Sequence, residues 1–499
     1  MKIVTLNPPF LNKFSRASRS PAVTKSGTIY YPTWLAYATG LLERHGHDVK
    51  LIDAPPGGMK VAELLDILQQ FRPSLILMDS ATASFHSDVN IAASIKTVFP
   101  DLFLAMVGLH VSALPEPVLR DHPAVDAVCR REYDITAVDL AKALGTGTPL
   151  TGVDGISFRA RDGRIIHNKD RAYIENLDQL PFVTEVFKKH LRIEDYFYAH
   201  IQYPMVSTFT SRGCPAQCTW CMYPQVFYGH TFRYRSPENI VAEFEYIQKE
   251  LPQVKEVLID DDTFTINIKH TRQTCELMIE RGIKLDWTCE VRTNLDYDTM
   301  VMMKKAGCRL MVAGFESGVK EVLKAMKKGL SPEQGVRFAH DARRAGIMVH
   351  GCFVAGNPGD TKKTLEETLR YAKSLPLDTA QFFPMMLYPG TEAYEWAKEN
   401  SYLRTEDYSQ WVTPEGLHNT MIDRPDLSHE YLVDFCDRAR REFYLRPGYL
   451  AYKLWQAVTH PSEFQRTLKT AKRFYRFLFP HVGSTTLPAA DPDRPMVRS

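Results

Sequence analysis

What the chain lacks narrows its class first. No stretch of the 499 residues approaches the ~20 consecutive apolar residues that a bilayer-spanning helix needs. The opening MKIVTLNPPF has neither the long apolar core nor the small-residue cleavage site of a secretory signal. Neither charge is in excess, since 61 basic against 59 acidic side chains leave +2; no overall field recruits nucleic acid or an anionic membrane. Internal repeats are absent, and the one low-complexity stretch, GSTTLPAADPDRPMVRS at 483–499, reads as a disordered tail. These absences predict a cytoplasmic, reducing setting, in which nine cysteines point to metal or redox chemistry rather than disulfides.

What is present is ample core: 44% hydrophobic and 11% aromatic residues, in a chain long enough for about three domains. Over 1–145, β-rich runs at 2–6, 48–53, 74–79, 102–107 and 125–129 alternate with amphipathic stretches. Leu35, Ala38, Leu41 and Leu42 recur at helical spacing and stop at His45-Gly46-His47. The alternation predicts an α/β fold beginning with a Rossmann-like, doubly wound parallel sheet, which binds ligands beyond the carboxyl ends of its strands. Asn7, Pro8 and Pro9, then Ser80, Ala81 and Thr82, then Gly108 and His110 fall at such ends.

Residues 146–200, with weaker β signals at 155–158 and 164–167, read as a connector. Over 201–395, runs at 205–210, 257–259, 285–289, 310–315, 348–354 and 380–384 alternate with helical stretches. Six βα units are too few for a closed eight-stranded barrel and predict a partial (β/α)6 barrel with its chemistry at the strand C-termini. Residues 396–482 read as a C-terminal helical region, with helices over 428–446 and 449–478. On the second, Phe464, Leu468, Ala471, Tyr475 and Leu478 share one face, and Arg466, Lys469, Lys472, Arg473 and Arg476 the other. That pattern suits an interfacial helix on anionic lipid or, equally, a solvated basic face on a docked helix.

One motif carries chemistry outright. Cys214-Pro-Ala-Gln-Cys218-Thr-Trp-Cys221 sets three thiols at C-x3-C-x2-C in a loop after a predicted strand. Nine scattered cysteines would produce this spacing by chance about three times in a thousand. Thiolates suit iron–sulfur clusters, and three ligands on a four-iron cluster leave one iron open to chelate a small molecule. A structural zinc would want a fourth ligand, and no second pair lies nearby. Cys129, Cys275, Cys289, Cys308, Cys352 and Cys436 fall singly on predicted elements and read as core thiols.

The loop resembles the signature of the radical S-adenosylmethionine superfamily, with Trp220 at the aromatic position beside the adenine. The resemblance continues through Asp260-Asp261-Asp262, Glu290-Val-Arg292, Gly314-Phe-Glu316-Ser-Gly318, Gly356-Asn-Pro358-Gly359 and Leu387-Tyr388-Pro389-Gly390. It implies S-adenosylmethionine contacts from Trp220, Asp261, Asp262, Arg292, Glu316 and Leu387. The N-terminal segment resembles the cobalamin-dependent class of that superfamily through Asn7-Pro8-Pro9, Gly108-Leu-His110 and Arg131-Glu132-Tyr133. This implies cobalamin contacts from Asn7, Pro8, Pro9, Ser80, Ala81, Thr82, Gly108, His110 and Glu132. No D-x-H-x-x-G is present, so a corrinoid here would lack a histidine ligand. Arg131 stands before Glu132 where the class more often has glycine.

The resemblance implies three cofactors, a [4Fe–4S] cluster on Cys214, Cys218 and Cys221, S-adenosylmethionine and cobalamin, and a function: methylation of a weakly activated carbon. A ring-forming radical cyclase with the same cofactors is the alternative. A binding protein with a structural or regulatory cluster is a third reading, which 5′-deoxyadenosine formation by the reduced protein would exclude. An external electron donor such as flavodoxin or ferredoxin, a small-molecule, lipid or peptide substrate, no nucleic acid, and a peripheral membrane contact through the C-terminal helix complete the expected partners. Because the cofactors fall in different predicted domains, deleting 1–145 is expected to remove the corrinoid and spare the cluster.

Overall fold

A computed structural model describes residues 1–459; the basic face at 466–476 and the tail at 483–499 lie outside the described residues. The first sheet is built from β1 (Lys2–Asn7), β2 (Asp48–Asp53), β3 (Leu75–Asp79), β4 (Phe103–Val107), β5 (Ala127–Cys129), β6 (Ile156–Arg159) and β7 (Ile165–His167). Its order is β2-β1-β3-β4-β5-β6-β7, with the first five parallel and the last two antiparallel. The reversal of strand order between β1 and β3 is the switch point where such sheets bind ligands. The strands alternate as a sheet buried on both faces must. Ile3, Leu75 and Leu77 belong to one core, and Val4, Leu6, Ile76 and Met78 to the other. The β signals at 155–158 and 164–167, expected in a connector, instead extend this sheet on its β5 edge.

The second sheet contains β8 (Met205–Thr208), β11 (Glu256–Ile259), β12 (Asp286–Val291), β13 (Cys308–Glu316), β14 (Met348–Ala355) and β15 (Thr379–Pro384), all parallel and side by side in sequence order. It is an open six-stranded barrel with α-helices between its strands. A two-residue ladder of β9 (Ser211–Arg212) and β10 (Arg233–Tyr234) pinches off residues 213–232, the segment that carries the three cysteines. At the open edge, β15 is covered by the helix His429–Tyr444. Tyr444 there accepts from the Ala380 N–H at 3.0 Å and donates to the Ala380 carbonyl at 2.8 Å, which satisfies an edge that would otherwise template pairing. Among the described residues no helix is long and apolar enough to cross a membrane.

The two sheets are not separable. One hydrophobic core runs through residues of both, and buried ion pairs cross between them. Arg212 donates to both oxygens of Asp134, at 2.7 and 3.1 Å. Arg233 grips Glu132 at 2.6 and 3.0 Å. Removing one partner of a buried pair costs about 3–5 kcal/mol. Deletion of 1–145 would therefore strand two buried guanidiniums, and the expected sparing of the cluster does not follow.

Candidate functional site

The cysteine loop is fixed at both ends by polar contacts that the C-x3-C-x2-C pattern does not reveal. Gly213 enters it at φ +87°, where an added Cβ would stand 2.1 Å from the Thr231 carbonyl, so only glycine fits. Gln225, on a turn of π-helix at Tyr223–Tyr228, donates through Nε2 to the carbonyls of Cys218, Thr219 and Cys221 at 3.1, 3.1 and 3.0 Å. Its Oε1 accepts from the Glu392 N–H at 2.8 Å. The His230 Nδ1 donates to the Cys214 carbonyl at 3.0 Å. The sole hint of Gln225 in the sequence is a polar residue set within the aromatic run 223–228.

Burial, and the Asp262 carboxylate beside them, hold the thiols of Cys214 and Cys221 above the ordinary thiol range.

Four of the residues expected to contact S-adenosylmethionine ring this loop. Trp220 has a buried indole N–H with no partner, and the buried Glu316 has a free Oε2. Its Oε1 accepts from Lys328 at 2.6 Å. A β-bulge between Gly314 and Glu316 and a left-handed φ of 61° at Glu316 turn this carboxylate back across the strand end. A Cβ on Gly314 would meet Glu316 Oε1 at 2.2 Å. Asp262 accepts from the Tyr228 hydroxyl at 2.5 Å, and Arg292 donates to the Lys328 carbonyl. The free donor and acceptor fit a polar ligand beside the thiols.

Two of the expected contacts are engaged elsewhere. Asp261 accepts from the Thr210 and Ser211 N–H groups (2.7 and 3.1 Å) and from both hydroxyls (2.5 and 2.7 Å). Its carboxylate shapes the corner between β8 and β9. Leu387 is wholly buried, and its carbonyl takes the Trp411 indole N–H at 2.5 Å.

The expected corrinoid residues also divide. A small cavity, of about 20 Å³, lies at the ends of β3 and β4, lined by Ser80, Ala81, Thr82 and Gly108 and by Met222, Tyr223 and Phe227 from just beyond the cluster thiols. Gly108 has φ +109°, and a Cβ there would stand 2.5 Å from Asp79 Oδ1 and 2.6 Å from the Ser80 carbonyl. Tyr133, also on the wall, has a buried hydroxyl without a partner. The wall is mainly apolar and aromatic, with Arg16, Asp79, Ser80 and Thr82 as its polar members.

His110 does not line this cavity. Its ring lies 4.3 Å from Phe85 and 4.7 Å from Tyr408, and burial pushes its pKa down to about 3. Pro8 and Asn7 stand behind the wall: Arg16, which does line it, donates to the Pro8 carbonyl at 2.6 Å and to Asn7 Oδ1 at 2.7 Å. Pro9 is buried beside them and is not on the wall. Glu132 is committed to Arg233 and to the Ile174 N–H at 3.0 Å. Asn7, Pro8, His110 and Glu132 each meet a protein partner. Cys352, expected in the core, is half-buried. Burial raises its thiol, as do Glu290 and Glu316 nearby.

Known proteins agree with this geometry. A B12 binding domain matches residues 19–141 and the Radical SAM superfamily domain matches residues 208–372. An uncharacterised methyltransferase of Pyrococcus horikoshii is 29% identical, over 95% of this chain and 99% of its own length. An anaerobic magnesium-protoporphyrin IX monomethyl ester cyclase of Rubrivivax gelatinosus is 24% identical, over 84% and 75%. The solved structure of the radical S-adenosylmethionine methyltransferase TsrM from Kitasatospora setae shares the fold, with a TM-score of 0.65 and 18% identity over 81% of this chain and 77% of that one. With a B12-binding sheet and a radical S-adenosylmethionine barrel facing each other across one cavity, the chain belongs to the cobalamin-dependent radical S-adenosylmethionine enzymes.

Proposed function

We propose that the chain is a cobalamin-dependent radical S-adenosylmethionine methyltransferase acting at a weakly activated carbon. The observation that carries this reading is the shared cavity. Its walls come from the strand ends of the B12-binding sheet and from the residues that directly follow the cluster thiols, so the methyl donor and the radical source would open onto one space. When bound, the cluster with S-adenosylmethionine supplies a hydrogen-abstracting radical, and the corrinoid supplies the methyl group.

The chain's own part is to position and to exclude water. Cys214, Cys218 and Cys221 offer the thiols, and Gln225 and Asp261 fix the loop that presents them. Lys328 holds one oxygen of Glu316 and leaves Oε2 without a protein partner, open to a ligand's donor. Trp34, Tyr223 and Phe227 pack ring on ring, with Trp34 6.1 and 5.0 Å from the other two, and form an apolar wall. The Pyrococcus relative, matched over nearly its whole length, supports methyl transfer.

An external electron donor of the flavodoxin or ferredoxin type completes the proposal. So does a peripheral membrane contact, for which the exposed Leu450, Leu454, Trp455 and Val458 of the helix Pro447–Thr459 offer an apolar surface. The test is stoichiometry: each methylated product should be accompanied by one 5′-deoxyadenosine and one S-adenosylhomocysteine. Product formed without 5′-deoxyadenosine removes the radical step, and a ring-closed product with no added carbon turns the reading to the cyclase that the Rubrivivax relative represents.

A further inference from the structure

The polar side chains on the wall of the cavity at the ends of β3 and β4 are nearly all engaged by the protein. Arg16 donates to Ser84, Asn7, the Pro8 carbonyl and Asp88. Ser80 donates to Asp88 at 2.9 Å, and the Thr82 hydroxyl lies 3.2 Å from His110 Nδ1. The Trp34 indole N–H reaches the Tyr223 hydroxyl at 3.4 Å, and that hydroxyl donates to the Ala17 carbonyl at 3.1 Å. Of the polar lining groups, Asp79 and Tyr133 remain.

Tyr133 is 1% exposed, and its hydroxyl has no partner; a buried polar group left so calls for an explanation. Asp79, half-buried at the end of β3, takes no hydrogen bond from any described side chain, and burial raises its carboxyl to about 7 against the pull of Arg16. Gly108 makes room for that carboxyl, since a Cβ there would stand 2.5 Å from Oδ1. A space of about 20 Å³ has room for one or two water-sized groups. It admits the tip of a chain and not a macrocycle, and a tip that meets one of the two groups lies within reach of the other. An acceptor and a donor at one small space suit a guest with a donor and an acceptor on neighbouring atoms. A primary carboxamide has both, and a carboxylate has no donor.

We propose that Tyr133 and Asp79 read the terminal carboxamide of one propionamide chain on the corrinoid rim, the Tyr133 hydroxyl donating to its carbonyl and Asp79 accepting from its NH2, and so select the amidated corrinoid over a hydrolysed one. The rim carries propionamides and shorter acetamides, and a narrow space beyond the strand ends takes the longer chain. A hydrolysed chain would set a second carboxylate against Asp79 and leave that acceptor without a donor, and a site built on hydrogen bonds rejects an analogue that lacks one. The proposal rests on the B12 binding domain matched over residues 19–141 and not on methyl transfer, so a ring-closed product would leave it standing.

The test reads binding and needs no turnover. Hydroxocobalamin and its three monocarboxylic acids, in which the b, d or e propionamide is hydrolysed, are compared by equilibrium dialysis against anaerobically reconstituted full-length protein at pH 8. Together the three acids cover every free propionamide. Wild type should bind one acid at least tenfold more weakly than hydroxocobalamin and the other two within threefold of it. Asp79→Asn, which offers the hydrolysed chain an N–H in place of a like charge, should bring that one acid back to within threefold. Tyr133→Phe should weaken hydroxocobalamin at least fivefold, yet leave the melting temperature of the cofactor-free chain unchanged or higher, because a hydroxyl with no protein partner holds nothing in the fold. The comparison of acids on wild type needs no substitution, so it decides even where a variant fails to fold. All three acids bound like hydroxocobalamin, or Tyr133→Phe binding hydroxocobalamin with wild-type affinity, overturns the subsite and leaves the cavity to water. A melting temperature several degrees lower in Tyr133→Phe also overturns it, by giving the hydroxyl a structural role.

Discussion

Replacing Gln225 by alanine tests whether the cysteine loop is organised by one amide. The substitution removes the donor to three carbonyls, those of Cys218, Thr219 and Cys221, and the acceptor for the Glu392 N–H. An amide nitrogen has two protons, so three carbonyl contacts count as two hydrogen bonds, and the total is three. At about 1 kcal/mol net each, the ordered loop loses roughly 2–3 kcal/mol. At about 1.4 kcal/mol per tenfold, that is on the order of 30- to 150-fold in the balance between ordered and open loop. The assay is anaerobic iron release to a chelator from the reconstituted protein, followed by absorbance. Release from Gln225→Ala should be at least ten times faster than from wild type, with the melting temperature of the cofactor-free chain within a few degrees of wild type. Gln225→Glu, which keeps the size but turns a carboxylate toward carbonyl oxygens, should be at least as fast. Iron release within twofold of wild type in Gln225→Ala would refute the reasoning, because the loop would then hold its shape without the amide.

Further outcomes follow from the same geometry. Replacing Cys214, Cys218 and Cys221 together by alanine should abolish bound iron and 5′-deoxyadenosine; iron retained at wild-type content by that variant sinks the ligand assignment. Glu316→Gln leaves Lys328 buried without its countercharge, and Gly314→Ala drives a Cβ to 2.2 Å from the same carboxylate. Both should weaken S-adenosylmethionine binding tenfold or more at normal iron content, and equilibrium dialysis showing wild-type affinity would return Glu316 to a purely structural pair. Burial raises the Asp79 carboxyl to about 7. A carboxyl raised in the fold favours the folded state while protonated and loses that contribution as pH climbs through its folded value. The melting temperature of the cofactor-free protein should therefore fall between pH 6 and 8, and Asp79→Asn should gain on wild type more at pH 8 than at pH 5.5. An equal gap at both pH values contradicts the assignment.

The sequence by itself determined the architecture. Short apolar runs separated by stretches of period-3.6 patterning located the first five strands and the six barrel strands, because strands buried in a parallel sheet are apolar along their whole length and helices between them are not. The chemistry of the cluster was legible for a similar reason: three thiols at close, uneven spacing need no tertiary information to converge. What the tertiary structure decided was which polar residue faces a ligand and which faces the protein. Asp261 and Asp262 are neighbours in one acidic run, yet Asp261 closes the β8–β9 corner and Asp262 stands beside the thiols. His110 and Gly108 share one strand end, yet Gly108 lines the cavity and the His110 ring lies between Phe85 and Tyr408. Gln225, Arg19 and Glu290 have partners 4 to 271 positions away in the chain. A hydrogen bond forms between atoms that the fold brings together, and short-range sequence pattern carries no record of partners so distant in the chain.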